Sequence, residues 1–190
     1  MIKLNDVTFA YKNGGTILKN LSLHVKAGER VRITGESGIG KTTVLRLIMG
    51  LEKPRRGTVT LADGARISAV FQEDRLIPNL SAIDNVALFS AREKAAEILT
   101  KLGLGDDMDL KTEELSGGMK RRVALARALA RPSEILILDE AMTGLDEKNK
   151  ERTAAVVNEY LEGRTLVCVT HDRTEADLLG AKDVSIVYNS

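Results

Sequence analysis

The sequence lacks the features that mark secreted, disulfide-bonded and membrane-spanning proteins. Its 190 residues include a single cysteine, Cys168, which excludes an internal disulfide and fits a reducing compartment. No window approaches the roughly 20 apolar residues of a membrane-spanning helix. The first residues, "MIKLNDVTFAY", alternate apolar and polar side chains and do not form the apolar segment of a signal peptide. We therefore expect a cytoplasmic chain, and any membrane part must belong to another protein.

Excess charge and aromatic residues are also scarce. The 28 Lys and Arg residues nearly balance the 27 Asp and Glu residues, which leaves a formal net charge of +1, and aromatic residues make up 3% of the chain. Such a chain exerts no long-range attraction on nucleic acid or acidic lipid, and no stretch interleaves basic and aromatic residues. We expect no nucleic-acid partner, and any bound polyanion must be held by a local site.

The pattern of apolar residues changes twice along the chain. In the first third, "KNGG" separates two predicted strands, the first of which has alternating apolar residues at Ile2, Leu4, Val7 and Phe9. From about Ser81 the signals become helical, and from Glu134 onward strands alternate with helices. This order predicts an antiparallel β region, then a helical insertion, and a core sheet of parallel strands.

Turn and capping signals refine this organisation. The predicted strands "GTVTLA" and "RISAVF" flank an Asp-Gly turn at Asp63 and Gly64. Ser81 and Asp84 resemble a capping box and predict the start of the helical third. We predict one domain, in which residues 1–75 and 132–190 form the core and about 76–131 form the helical subdomain.

The stretch "GESGIGKTT" fits the phosphate-loop pattern G-x-x-x-x-G-K-[ST]. A predicted strand, "VRIT", precedes it and a predicted helix, "KTTVLRLIMG", follows it, which is the context that this motif requires. Backbone N–H groups of such a loop approach phosphate oxygens, Lys41 supplies a charge to the outer phosphates, and Thr42 offers its hydroxyl to Mg²⁺. The alternative, a flexible glycine turn beside a chance Lys-Thr pair, leaves the flanking elements unexplained. The predicted binding residues are Gly35, Ser37, Gly38, Ile39, Gly40, Lys41, Thr42 and Thr43.

An acidic pair follows the apolar strand "ILIL". Asp139 and Glu140 stand at its carboxyl end, where open α/β sheets place their ligands. Asp139 is suited to bind Mg²⁺, directly or through water, and Glu140 is suited to orient and deprotonate an attacking water. The structural alternative is a solvent-facing pair or a cap on the next helix, which the phosphate loop makes the weaker interpretation.

Three further candidates carry weaker signals. His171 ends the strand "TLVCVT" near the same sheet edge and could hydrogen-bond a terminal phosphate, although a lone histidine is often incidental. Gln72 closes a strand and could bind Mg²⁺ and move with the following loop, or be an ordinary loop residue. Tyr11 could stack on a purine, or belong to the core. The other histidine, His24, has no catalytic context and is interpreted as structural.

A second glycine pair needs an explanation. The stretch "ELSGGMKRRVALARAL" places Ser116, Gly117 and Gly118 before a predicted helix, and a helix N-terminus attracts anions. One nucleotide, however, requires only one phosphate loop. The basic residues that follow are interpreted as a solvated helix face with a favourable cationic end: Lys120, Arg121, Arg122, Arg127 and Arg131.

Taken in order, the glycine loop, glutamine, "LSGGM", Asp-Glu pair and histidine strongly resemble the nucleotide-binding subunit of an ATP-binding cassette (ABC) transporter. The resemblance runs from Tyr11 to His171 and implies a P-loop NTPase core with a parallel sheet, an N-terminal antiparallel β region and an inserted helical subdomain. It implies ATP and Mg²⁺ as ligands, Glu140, His171 and Gln72 as catalytic residues, and Thr42, Gln72 and Asp139 as metal ligands. Tyr11 joins the ATP-binding residues.

The same resemblance implies partners. In this family two domains pair head to tail, so Ser116, Gly117 and Gly118 are expected to bind the ATP of the partner chain, and Asp146 is expected at the dimer interface. A transmembrane permease and an extracytoplasmic solute-binding protein are implied, with the chain on the cytoplasmic face of the cell membrane. "FQEDRLIPNLSAIDNVAL" with "LSGGM" is similar to importer ATPases for nitrate, sulfonate and taurine.

Two other functions stay open at this point. One is a soluble ABC ATPase of translation or DNA repair, although such relatives usually carry two cassettes or a long coiled coil. The other is a phosphate-loop kinase or GTPase that happens to contain Ser-Gly-Gly. The absence of an Asn-Lys-x-Asp sequence argues against a GTPase, and the complete order of motifs argues against a kinase.

Overall fold

An antiparallel three-stranded sheet forms one side of the molecule. The computed structural model describes residues 1–12 and 14–186. The strand order is β2-β1-β4, with β1 at Ile2–Ala10, β2 at Thr16–Val25 and β4 at Arg56–Leu61. The predicted alternation in β1 slips by one residue between Leu4 and Val7, where the register shifts and Asp6 has a positive φ of 47°. This bulge keeps Val7 and Phe9 on the buried face.

The strands on either side of the Asp63-Gly64 turn belong to different sheets. The turn itself is confirmed, but β4 pairs with β1, while β5, at Ile67–Val70, pairs with β6. Gly57 allows β4 to enter its sheet, because a Cβ atom there would lie 2.4 Å from the backbone oxygen of Asn5. The chain therefore crosses from the antiparallel sheet to the core at this turn.

The core is a five-stranded parallel sheet with the order β5-β6-β7-β3-β8. The remaining strands are β3 at Arg30–Thr34, β6 at Ile135–Asp139, β7 at Thr165–Val169 and β8 at Lys182–Ser185. Every residue of β6 and β7 is buried, which explains their continuous apolar runs. The predicted last strand, "DVSIVY", is confirmed to Ser185, and its final two residues lie outside the described part of the chain.

Two hydrophobic clusters cover the two faces of this sheet. Ile135 and Ile137 pack with the antiparallel sheet and α1, whereas Leu136 and Leu138 pack with the helical region. The period of two along β6 therefore divides its side chains between the clusters. The helices of the core are α1 at Lys41–Ile48, α5 at Glu147–Leu161 and α6 at Arg173–Leu178.

The helical region contains α2 at Ala82–Ala87, α3 at Arg92–Lys101 and α4 at Gly117–Ala130, with a 3-10 turn at Thr112–Glu114. Ser81 caps α2 by accepting a hydrogen bond from the N–H of Asp84. The other half of the expected capping box differs, since Asp84 accepts from the Ser81 hydroxyl at 2.6 Å. The division of the chain at about residues 76 and 131 stays a prediction.

The basic residues of α4 are not a solvated face, so that prediction is wrong for three of them. Arg121, Arg122 and Arg127 are half-buried, and each donates hydrogen bonds to backbone carbonyl oxygens of neighbouring segments. The physical reason is that a guanidinium can serve carbonyl groups that have no secondary-structure partner. Charge alone does not distinguish such arginines from solvated ones in a sequence.

Candidate functional site

A cavity of about 670 Å³ opens at the carboxyl edge of the parallel sheet. The phosphate loop leaves β3 here, Asp139 ends β6 with Glu140 directly after it, and His171 follows β7 at the same edge. Parallel strands place their carboxyl ends together, which brings sequence-distant side chains to one site. The cavity is lined by ten of the predicted site residues: Ser37, Gly38, Gly40, Lys41, Thr42, Thr43, Gln72, Asp139, Glu140 and His171.

The phosphate loop is shaped by one glycine in particular. Gly40 caps α1 with a φ of 102°, and a Cβ atom there would lie 2.8 Å from side-chain carbons of both Ile17 and Leu18. Lys41 is buried, and its Nζ donates to the carbonyl oxygens of Gly35 and Glu36, each at 2.9 Å. The lysine charge is therefore held within the loop beside the first N–H groups of α1.

Asp139 carries a buried carboxyl group at the end of β6. Burial raises its pKa, a hydrogen bond with Thr42 lowers it, and the neighbouring charge of Glu140 raises it, with a net increase. The residue is 5% exposed. A desolvated carboxylate beside a hydroxyl is a group that gains from an added positive charge.

Glu140 has a strained backbone and an unsatisfied oxygen. Its φ is 52°, a conformation that non-glycine residues rarely adopt, and its N–H donates to the carbonyl of Val169 at 2.9 Å. Oε2 accepts a hydrogen bond from the hydroxyl of Thr143 at 3.0 Å. Oε1 is buried without a hydrogen-bond partner and lies 3.4 Å from Nε2 of His171. Glu140 thus lines the cavity with one carboxylate oxygen held by Thr143 and the other beside His171.

The residues beside His171 are anchored by a charged cluster. The Thr170 hydroxyl donates to the buried carboxylate of Glu175 at 2.6 Å and accepts the N–H of Asp172 at 3.1 Å. Lys150 of α5 binds Asp172 at 2.6 Å. The imidazole of His171 itself is exposed at the cavity mouth. The loop thus fixes the backbone on both sides of the histidine and leaves its ring accessible.

Other predicted residues lie outside the cavity lining. Tyr11 follows β1, is 39% exposed, and packs edge-to-face on Phe9 with ring centroids 4.9 Å apart. Its hydroxyl is 3.5 Å from Oγ1 of Thr43, which connects it to the start of α1. Gly35 contributes a carbonyl to Lys41, and Ile39 packs against the core cluster beneath the loop. The alternative in which Tyr11 is a core residue is wrong.

Ser116, Gly117, Gly118 and Asp146 also lie away from this cavity. The Ser116 hydroxyl caps α4 by accepting from the N–H of Met119 at 3.3 Å, and a Cβ atom on Gly117 would meet nothing within 4 Å. Asp146 caps α5 through the N–H of Asn149 at 2.8 Å, and the backbone and side-chain bonds from Asn149 lower its pKa. Both caps are exposed.

Four lining residues were missed by sequence reasoning: Ile17, Arg121, Thr143 and Val169. Thr143 is three residues after Glu140, and only the turn between them shows that its hydroxyl supports the carboxylate. Val169 was predicted only as a strand residue. Ile17 and Arg121 reach the cavity from β2 and α4, and nothing in their local sequence signals that position.

The residues present fit a magnesium ion. Thr42 and Asp139 offer hard oxygen ligands, and Glu140 Oε1 adds an unsatisfied carboxylate oxygen close by. Within residues 1–12 and 14–186 no group of three or more His, Cys, Asp or Glu could hold a metal unaided. Mg²⁺ is usually bound by one or two carboxylates together with substrate phosphates, so this sparse set is appropriate for it.

The fold and the site together define a phosphate-loop nucleotide-binding protein. A family model described as ABC transporter matches residues 18–143, and the chain belongs to this family as one of its ATP-binding ATPase domains. The resemblance inferred from the motif order is therefore confirmed, as is the α/β fold. Membership also favours the ABC interpretation over the kinase or GTPase.

Several relatives share most of the chain. The thiamine import ATP-binding protein ThiQ of Haemophilus influenzae (strain 86-028NP) is 39% identical across 100% of this chain and 95% of its own length. The aliphatic sulfonates import ATP-binding protein SsuB 1 of Rhizobium johnstonii is 41% identical across 86% of this chain and 65% of its own. A dimeric post-hydrolysis structure of the ATP-binding cassette MJ0796, bound to ADP and Pi, is similar with a TM-score of 0.86 and 35% identity, covering 98% and 94% of the two chains.

In the described part of the chain, none of the helices has the length and apolar character needed to cross a membrane.

Proposed function

We propose that this chain hydrolyses Mg-ATP at the 670 Å³ cavity as the ATPase subunit of an importer for a small solute. The observation that carries the hydrolytic part is the buried, unsatisfied Oε1 of Glu140, held by a strained backbone within 3.4 Å of His171. A carboxylate with one oxygen fixed by Thr143 and the other without a hydrogen bond is available to accept a proton at a ligand site.

Each group at the site has a defined role in this proposal. Lys41 and the N–H groups of Gly38, Ile39 and Gly40 bind the β- and γ-phosphates, with Ser37 and Thr43 completing the loop and Tyr11 contacting the purine. Thr42, Gln72 and Asp139 would hold Mg²⁺, and a bound ion would neutralise charge on the transferring phosphoryl group.

Glu140 accepts a proton from a water molecule, whose oxygen attacks the γ-phosphorus. The bond from that phosphorus to the bridging oxygen breaks, and ADP and phosphate leave. His171 donates a hydrogen bond to the γ-phosphate, and the Thr170, Asp172 and Lys150 contacts keep its backbone in place.

The second part of the proposal is a head-to-tail homodimer with ATP. Ser116, Gly117 and Gly118 present the exposed N-terminus of a 14-residue helix, and Asp146 lies exposed at the start of α5. A helix N-terminus favours anions, so it gains most from the γ-phosphate of an ATP bound by the partner chain. The dimeric MJ0796 cassette supports this arrangement. Hydrolysis removes that phosphate and weakens the dimer.

The third part is a docking surface for a transmembrane permease. A second cavity of about 440 Å³ lies between the core and the helical region, and its rim carries Leu51, Ile77, Leu88 and Phe89, each at least 44% exposed. An exposed apolar groove edged by Arg75 and Arg131 fits a short helix of a membrane subunit. The import ATPases among the relatives support this occupant and a peripheral position on the cytoplasmic face. An extracytoplasmic solute-binding protein would then deliver the solute.

The hydrolytic proposal is tested by phosphate release from Mg-ATP. We expect Glu140→Gln to lower kcat by about 100-fold or more while ATP affinity is retained, because the amide cannot accept the proton. The matched control is Glu151→Gln, which neutralises an exposed carboxylate of α5 and leaves kcat unchanged. An unchanged rate in Glu140→Gln would exclude this residue as the base.

The docking proposal is tested separately with stripped, inside-out membrane vesicles that contain the permease. Phe89→Glu places a charge in the groove and should abolish binding to the vesicles while the isolated chain still hydrolyses ATP. Leu110→Glu adds the same charge to an apolar residue that is 42% exposed outside the groove, and it should bind normally. Equal binding by both variants would exclude the groove as the docking surface, and a failure of the unmodified chain to bind the vesicles would favour a soluble ABC ATPase.

A further inference from the structure

Two arginines of α4 hold the segment that leaves β5. Arg121 donates from Nη1 to the carbonyl of Phe71 at 2.8 Å and from Nη2 to the carbonyl of Gln72 at 2.7 Å. Arg127 donates to the carbonyls of Asp74 and Arg75 at 3.0 and 2.9 Å. Four of the five carbonyl groups of residues 71–75 are thus fixed by one helix rather than by a strand or turn.

This arrangement is buried and costly, which argues against a chance surface contact. The Arg121 side chain is 12% exposed and lies 3.1 Å from Oδ1 of Asp74, itself 24% exposed. Burial raises the pKa of Asp74, and the nearby charge of Arg121 opposes that increase. Arg75, the last residue of the segment, has a positive φ of 48°. A desolvated pair and a strained residue persist only where surrounding contacts enforce them.

The two arginines serve different ends of the segment. Arg121 lines the ATP cavity together with Gln72, whereas Arg127 lines the apolar groove together with Phe71 and Arg75. Arg121 also lies in the first turns of α4, the helix that Ser116 caps. A shift of α4 would therefore carry the Gln72 backbone with it through two hydrogen bonds.

We propose that Arg121 is a positioning residue. By holding the backbone carbonyl groups of Phe71 and Gln72, it fixes the side-chain amide of Gln72 at the ATP site. This rests on the proposed function, in which Gln72 helps to hold Mg²⁺. Arg121 does not touch the reacting atoms. It acts through the backbone, and a fork of two N–H donors is the feature that a single charge cannot replace.

A double-mutant cycle tests the energetic part. Arg121→Ala should lower kcat about tenfold and raise the Mg²⁺ concentration for half-maximal rate, with KM for ATP changed less than about twofold. In a Gln72→Ala background the further effect of Arg121→Ala should disappear, because the positioned group is gone. The matched control, Arg92→Ala, removes an exposed arginine paired with Asp84 on the helical region. If the losses of kcat in Arg121→Ala and Gln72→Ala are additive in the double variant, the proposal is overturned.

A spin label tests the structural part without any turnover. Glu73 is 84% exposed, and the one native cysteine, Cys168, is buried with its pKa raised to about 12, so a label on Glu73→Cys is selective. Arg121→Ala should increase the mobility of this label, and Arg92→Ala should not. Unchanged mobility in Arg121→Ala would overturn the proposal.

Two further controls keep these results interpretable. If Arg121→Ala does not fold, Arg121→Lys replaces it, because lysine keeps the charge beside Asp74 and lacks the fork. If Gln72→Ala alone has wild-type kcat and Mg²⁺ dependence, the proposed role of Gln72 fails and this proposal fails with it. If Gln72→Ala does lower kcat and the further loss of kcat from Arg121→Ala is additive, this proposal is overturned while the proposed role of Gln72 stands.

Discussion

The two helices that follow glycine loops, α1 and α4, differ in what lies against their N-termini. At α1 the loop encloses the buried Lys41, and Asp139, Glu140 and His171 line the same cavity. At α4 the serine caps its own helix, and Gly117 faces open space. Both ends favour an anion, but only the first is surrounded by groups that can react with it. The α1 end is thus enclosed and the α4 end is open, and the second binds a nucleotide only in the dimer that we propose.

The largest expected effect lies at the enclosed end. Lys41→Met should reduce ATP affinity by about 100-fold, because the outer phosphates lose a buried charge at the α1 N-terminus. Binding of a fluorescent ATP analogue measures this directly. Lys94→Met, which removes an exposed lysine of α3, serves as the control and should bind with wild-type affinity. Equal affinities would mean that α1 does not hold the phosphates.

A matched pair of glycine substitutions sharpens the comparison. Gly40→Ala should lower the free energy of unfolding by about 1–3 kcal/mol, since alanine is strained at a φ of 102° and its Cβ crowds Ile17 and Leu18. Gly117→Ala should change it by less than about 0.5 kcal/mol, because the added methyl meets nothing. Urea unfolding of both proteins measures the difference, and equal losses would contradict the distinction between the two loops.

The smallest expected effect is a pH-dependent gain in protein stability when Asp139 of the enclosed site is replaced. Burial raises the pKa of Asp139, so the folded protein holds this proton more tightly than the unfolded chain does. The ionised carboxylate therefore destabilises the folded protein at pH 7, and this destabilisation disappears as the pH falls through the raised pKa. Asp139→Asn should therefore raise the melting temperature of the nucleotide-free protein at pH 7, and this gain should shrink as the pH is lowered toward the ordinary pKa of an aspartate.

Asp183 provides the control of opposite sign. Its hydrogen bonds with Arg32 lower its pKa, so it contributes stability above the unfolded value of about 3.9 that is lost as the pH falls through its lowered value. Asp183→Asn should therefore lower the melting temperature at pH 7. The same direction of change in both variants would contradict the assignment of Asp139 as a desolvated functional group.

Much of the enclosed site was predictable because its chemistry is local in sequence. The phosphate loop, the β6 strand with its acidic pair, and α5 at Glu147–Leu161 are each specified by spacing and capping within a few residues. Their convergence follows from the rule that parallel strands share a carboxyl edge. The two sheets on either side of Asp63-Gly64 were not distinguished, since a turn signal does not say which strands pair.

The side-chain support of the site was not predictable. Arg121 was expected in solvent, yet it holds the carbonyls of Phe71 and Gln72, about 50 residues earlier in the chain. The strain at Glu140 and the hydroxyl of Thr143 beneath it depend on a turn geometry that the letters "DEAMT" do not fix. These contacts join segments far apart in sequence, and no local propensity encodes them.

The measurement that tests the proposed role of the α4 end most directly is the solution mass of Glu140→Gln by light scattering, with and without Mg-ATP. This variant should bind ATP without consuming it, so the mass should rise from one chain to two when ATP is added. Adding Ser116→Arg should abolish that rise, because a large cation at the exposed cap blocks the partner's phosphate. A mass of one chain with ATP demonstrably bound, or a dimer unaffected by Ser116→Arg, would contradict the account.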